Sequence, residues 1–235
     1  MKNQLIVPLF ACFSLALAAC GGSDDDSAPA AQPGTVNPQA AKSTATSTIS
    51  GALTATKSND GNSAVGQIQA ASSSAQSIVS PAAGGGQPQA LSDLGTLSLA
   101  VGPGCACEAT KCVFTACKDN PSVEINGELS WEGGRVLCKN LTYKINQGGV
   151  SNVEMTTNCD LTVSDTKITG SLSSKGSTSY AAQGAGAGQY TWDATVKFND
   201  VTHANGQPTG GSVDATSTVS VAGQTYSGSS TVKFP

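Results

Sequence analysis

Histidine, charge and aromatic side chains are what this 235-residue chain has least of: one His, 12% charged residues and 5% aromatics. The net charge is −4, and Lys and Arg nowhere cluster. That excludes electrostatic docking on nucleic acid or on anionic lipid. The single His203 lies two residues before Asn205-Gly206 and is expected to be a solvated hairpin-tip residue, not a general base. No G-x-S-x-G, H-E-x-x-H or P-loop pattern occurs, so no catalytic residue and no cofactor is assigned and the chain is read as non-enzymatic. Its apolar run at the start is too short to cross a bilayer as a helix, which takes ~20 residues.

Ser, Thr, Gly and Ala dominate instead, and the chain divides by composition. Met1-Lys2-Asn3-Gln4 is a short positive start, Leu5 to Leu17 is apolar apart from Ser14, and Ala18 and Ala19 follow. This is the order of a secretory signal peptide spanning residues 1–19. Leu17-Ala18-Ala19-Cys20 resembles the lipobox of bacterial lipoproteins. The resemblance covers the first twenty residues alone and implies cleavage before Cys20, diacylglycerol on its sulfur and acylation of the new amine. The membrane is then a partner through the lipid on Cys20, and several chains on one residue give a durable anchor. In that family an Asp after the cysteine signals retention at the inner membrane. Gly21 stands there, which implies the outer membrane.

Residues 20–62 read as a lipidated cysteine followed by a disordered Ala/Ser/Thr/Pro tether, since residues 21–48 show no apolar period. Residues 63–104 carry two short helical patterns. In Ser63–Ser80, Val65, Ile68, Ala71, Ala75, Ile78 and Val79 share a face, and Pro81 ends the run. In Gln89–Leu99, Leu91, Leu94 and Leu97 form a stripe.

Residues 105–235 form a Cys-rich β domain, and the fold class expected is mainly β. Seven antiparallel strands form an up-and-down meander, half-barrel or barrel-like, with short N-terminal helices and disulfide staples. Tyr190, Trp192, Ala194, Val196 and Phe198 alternate with polar residues, as do Val213, Ala215, Val219 and Val221. A turn centred on Asn205-Gly206 sets Phe198 opposite Val213 and Trp192 opposite Val219. A type II′ turn at Gly223-Gln224 sets Val221 opposite Tyr226 and Val213 opposite Phe234. Upstream, Val123, Ile125, Leu129 and Trp131 face Leu137, Leu141, Tyr143 and Ile145 across a three-residue loop at Gly133-Gly134. Turns at Gly148-Gly149 and Asp165-Thr166 continue the meander, and Gly176 to Gly188 reads as a mobile loop.

Cys105, Cys107, Cys112, Cys117, Cys138 and Cys159 form an even set in an exported chain, which reads as three disulfides and not as a metal site, since no Cys-x2-Cys knuckle is present. Connectivity stays open. Cys138 pairs with Cys159 if a β-bulge lies between Cys138 and Leu141, or else with the upstream cluster, and the upstream partner is preferred. Glu124 and Glu128 read as a solvated strand face.

Two functions follow. One is display of the β domain on the lipid-anchored tether for an envelope protein partner. The other is carriage of a hydrophobic ligand on the apolar face, with Trp131, Leu161, Tyr190 and Trp192 as its contacts. A void beside those residues favours the carrier, and a filled core argues against it.

Overall fold

The computed structural model describes residues 30–81, 104–147, 151–180 and 188–235. Cys20 and the Gln89–Leu99 stripe lie outside them. Two helices, α1 (Pro38–Ser58) and α2 (Gly61–Ala75), precede a ten-stranded sheet. Its strands are β1 (Gln32–Pro33), β4 (Cys105–Glu108), β5 (Lys111–Asn120), β6 (Val123–Glu132), β7 (Arg135–Gln147), β8 (Ser151–Val163), β9 (Lys167–Tyr180), β10 (Gly188–Ala204), β11 (Gln207–Val221) and β12 (Gln224–Lys233). The order is β1-β12-β11-β10-β9-β8-β7-β6-β5-β4; β1 runs parallel to β12 and every other neighbouring pair is antiparallel. A separate two-stranded sheet pairs β2 (Thr35–Val36) with β3 (Val79–Ser80).

The mainly β class with helices and three disulfides is therefore as expected, but seven strands was too few. The cysteine cluster forms the β4–β5 hairpin, and a short segment just before the first helix adds β1 at the opposite edge. β9 continues through Gly176 to Tyr180 and β10 starts at Gly188, so the described residues of the expected Gly176–Gly188 loop are all strand; residues 181–187 lie outside the described ones.

The tether is the larger correction. Residues 38–58 form a helix whose packed positions are small apart from Ile49: Ala41, Ala45, Thr48, Ala52 and Ala55 share its face, and all six are wholly buried at helical spacing. Asn37 caps it, its side chain accepting from the Gln39 and Ala40 amides, and Pro38 occupies the first turn. The hydroxyls of Thr44 and Thr48 donate to the carbonyls of Ala40 and Thr44, at 2.9 and 2.7 Å, which lets both side chains enter the core satisfied. After Asn59-Asp60 the chain reverses into α2, where Asp60 caps the Ser63 amide at 3.0 Å. Small residues let the helices approach closely, and a Cβ on Gly51 would stand 3.0 Å from Ile68 Cγ1.

α1 touches β6–β8 and β10–β12, and α2 touches β5, β6, β8 and β9. With 21 residues α1 is about 31 Å long, enough to lie across most of these strands, so the hairpin covers one face of the sheet from β5 to β12. β-bulges bend and twist the sheet. Register shifts fall between Phe114 and Cys117, between Cys138 and Leu141, and between Phe198 and Val201. Among the described residues β4 and β1 remain as separate edges, so the sheet is open.

The turns mostly follow their residues. Asn205 and Gly206 both take positive φ, and Phe198, Val196, Trp192 and Tyr190 face Val213, Ala215, Val219 and Val221 as expected. The next turn sits one residue earlier, on Ala222-Gly223, with φ of 51° and 77°. It pairs Val221 with Gln224 and Val219 with Tyr226. That displaces the expected register by two residues, which leaves the same face inward. The Gly133-Gly134 loop has two residues, not three, so Val136 and Cys138 point inward in place of Leu137. The turn at Asp165-Thr166 lies where expected, and across it Val163 faces Ile168.

Candidate functional site

The inner face of the sheet holds all four residues proposed as ligand contacts. Trp131, Leu161, Tyr190 and Trp192 are buried within one core cluster that includes both helices. Their polar atoms are bonded to the chain itself. The Tyr190 hydroxyl donates to the Gln76 carbonyl at 2.9 Å, Trp131 Nε1 to Asn59 Oδ1 at 2.8 Å, and Trp192 Nε1 to Ser174 Oγ at 3.3 Å. Tyr143 donates from β7 to the Val65 carbonyl at 3.1 Å, and the Ser72 and Thr157 hydroxyls lie 2.6 Å apart. Aromatic residues were legible as inward-facing from their alternation. Their helical partners were not, because Asn59 and Gln76 carry no signal in sequence.

Burial pushes the Tyr143 hydroxyl well above its ordinary value and that of Tyr190 up to about 12. Unfolded tyrosine ionises near pH 10. Both groups therefore contribute stability that is complete below pH ~10 and is lost as pH rises toward about 12. Ultraviolet titration should show two of the four tyrosines ionising only as the protein unfolds. Ionisation of all four near pH 10 with the far-ultraviolet spectrum intact would contradict this.

Disulfides join Cys105 to Cys117, Cys107 to Cys112 and Cys138 to Cys159. The last corrects the preference for an upstream partner of Cys138. Cys138 and Cys159 are directly opposed, with Cα atoms 4.6 Å apart, and the register slips by one before Leu141. Asn140 forms the bulge in a left-handed conformation, φ 46°, and its amide donates to Asn158 Oδ1 at 2.8 Å. One extra residue thereby reconciles the bridge with the inward face of Leu141, Tyr143 and Ile145.

His203 is not solvated. It is buried, with Nε2 3.3 Å from the Ser164 carbonyl oxygen, because the turn around Asp165-Thr166 folds over the Asn205-Gly206 hairpin. Lys57 of α1 reaches Asp165 at 3.4 Å and closes the same corner. Glu128 accepts from Lys111 at 2.8 Å and lies 3.5 Å from Lys139; the hydrogen bond from Lys111 holds its carboxyl below the usual range.

The outer face is polar and charge-balanced. Lys118, Glu124, Lys144 and Glu154 stand opposite one another in succession across β5–β8, and Ser177 extends the row into β9. Alternating signs across strands stabilise such a ladder. A trough of about 470 Å³ runs over it, lined also by Asn152, Ser179 and Gln189. Among the described residues no group of three His, Cys, Asp or Glu side chains is placed to hold a metal ion, and no helix is long and apolar enough to cross a membrane. No protein-family model, curated protein or solved structure matches the chain.

Proposed function

We propose that this chain is an exported envelope lipoprotein, anchored through lipid on Cys20 at the outer membrane, whose β domain serves as a non-catalytic interaction module. The lipobox-like Leu17-Ala18-Ala19-Cys20 carries the reading. The three disulfides support it, since such bridges persist in oxidising compartments outside the cytosol. The helical hairpin packed against the inner face favours display over carriage. A hydrophobic ligand there would have to displace the helical hairpin and break the bonds that Tyr143, Tyr190 and Trp131 make to it.

β1 also shortens the tether. Gln32 pairs with Tyr226, and the Gly34 amide donates to the Ser227 carbonyl at 2.8 Å. Gln32 follows Cys20 by only twelve positions, a contour of at most ~40 Å. The β12 edge is thus kept close to the bilayer, and the Cys-rich β4 edge lies at the far end of the strand order.

Cys20→Ser should move the protein from the membrane pellet to the soluble envelope fraction, still folded and with all three disulfides. Retention of the exported variant in the pellet would contradict the anchor. A wild-type protein that lacks acyl mass on the Cys20 peptide would do the same.

A further inference from the structure

We propose that the Cys107–Cys112 bridge is a thiol–disulfide exchange site, opened by an incoming thiolate that attacks Cys107 Sγ and displaces Cys112 Sγ. The inference stands on the hairpin itself and does not depend on the lipid anchor.

The two sulfurs differ in access. Of the six disulfide cysteines Cys107 alone is exposed; Cys105 is half-buried, Cys112 and Cys117 are wholly buried, and Cys138 and Cys159 nearly so. A thiolate must approach along the S–S axis, so an external one is offered Cys107 first. Cys107 Sγ lies 3.1 Å from the Asn62 side-chain oxygen, at the solvent side of α2.

The sulfurs also differ as leaving groups. A Cβ on Gly61, the first residue of α2, would stand 2.4 Å from Cys112 Sγ and equally close to the Trp131 ring. Cys112 Sγ therefore sits against the first turn of a fifteen-residue helix, screened from water by indole. The positive end of a helix stabilises a thiolate and helps it leave, whereas burial disfavours the charge. The Asp60 carboxylate in the same turn offsets part of the helix's effect, but it is occupied by the Ser63 amide and hydroxyl. Access therefore selects the direction of attack, and the helix terminus offsets part of the cost of releasing a buried thiolate.

Opening this bridge leaves its surroundings in place. Cys105 still faces Phe114, Ala106 faces Val113 and Glu108 faces Lys111, and the Cys105–Cys117 bridge closes the same hairpin from outside. The two thiols stay opposed, so the bond can re-form.

The chemistry balances with two equivalents of thiolate. The first forms an S–S bond to Cys107 Sγ, while the Cys107–Cys112 bond breaks and its electron pair leaves on Cys112 Sγ. The second attacks the sulfur of the first, releasing the Cys107 thiolate and a small-molecule disulfide. Two incoming thiols are oxidised and the bridge is reduced by two electrons.

The test uses the full exported protein in graded ratios of reduced to oxidised glutathione, followed by acid quench, alkylation and peptide mass spectrometry. The expected glutathione adduct is on Cys107, in at least ~10-fold excess over Cys112. Cys107 and Cys112 should also become alkylated at a thiol concentration at least ~10-fold below the one that opens Cys138–Cys159. A majority adduct on Cys112, or the three bridges opening together with loss of the far-ultraviolet spectrum, would overturn the proposal. The double variant Cys107→Ser/Cys112→Ser should bind no glutathione in the hairpin at those ratios. An adduct on its Cys105 or Cys117 would place the reactive bond elsewhere.

Discussion

Ile68→Asp should abolish folding of the domain, and Ile68→Ala should lower its stability by about 2–5 kcal/mol. Ile68 is wholly buried at the middle of α2, against Gly51 of α1 and within the core cluster that both helices share with the sheet. The alanine variant loses the transfer energy of three carbons and leaves a cavity that surrounding strands, tied by disulfides and bulges, are poorly able to close. The aspartate variant buries a charge with no cationic partner, which costs several kcal/mol. Typical domains have only about 5–15 kcal/mol in total. Chemical denaturation of the soluble Cys20→Ser form, followed by circular dichroism, measures both. A folded Ile68→Asp protein would mean that the helical hairpin is a detachable lid over the sheet. Carriage of a hydrophobic ligand would then return as the better reading, because the face behind the lid would be free to receive one.

That hairpin is also where the sequence was hardest to read. β10 and β11 were legible because large apolar residues alternate with polar ones and Asn205-Gly206 admits one kind of turn. α1 was not, because its buried stripe is alanine and threonine, residues that also fill linkers. Nothing local distinguishes a packed Thr48 from a solvated one; the difference is the Thr44 carbonyl that its hydroxyl reaches and the sheet that covers it. Likewise β4 and β5 show in sequence only as a set of cysteines, although Cys112, Phe114 and Cys117 point inward. The bulge between Phe114 and Cys117 breaks the period of two that would have revealed them. His203 is illegible for a related reason: its position beside a turn implies water, but a second turn from β8–β9 closes over it. At the candidate ligand face the four side chains and their direction were predictable. That they spend their polar atoms on Asn59, Gln76 and Ser174 was not, since those contacts join segments far apart in sequence.

The second large effect concerns the bulges. Gly127→Ala should cost about 2–5 kcal/mol, combining backbone strain with overpacking, whereas Gly223→Ala should cost about 1 kcal/mol. Gly127 holds φ at 112°, a region that side chains disfavour, and a Cβ there would stand 2.3 Å from the carbonyl oxygen of Asn140 and 2.8 Å from Leu141 Cα. Both are backbone atoms of the bulge on β7, so nothing flexible can move aside. Gly223 also has positive φ, 77°, but its Cβ would point into open space. The pair of variants thus separates the cost of conformation from the cost of close approach. The same opposition recurs where Gly211 faces the Asp200 carbonyl on β10, so it is a repeated device for bending the sheet. At Asn140 the bulge does more than bend. It allows Cys138 to meet Cys159 while Leu141, Tyr143 and Ile145 stay inward. Pushing Asn140 away by filling Gly127 should therefore loosen both features together. Alongside the fall in denaturation midpoint, Cys138 and Cys159 should become reducible at lower thiol concentration in Gly127→Ala than in wild type. If the midpoint falls while that bridge keeps its resistance, the bulge bends the sheet without holding the disulfide in register.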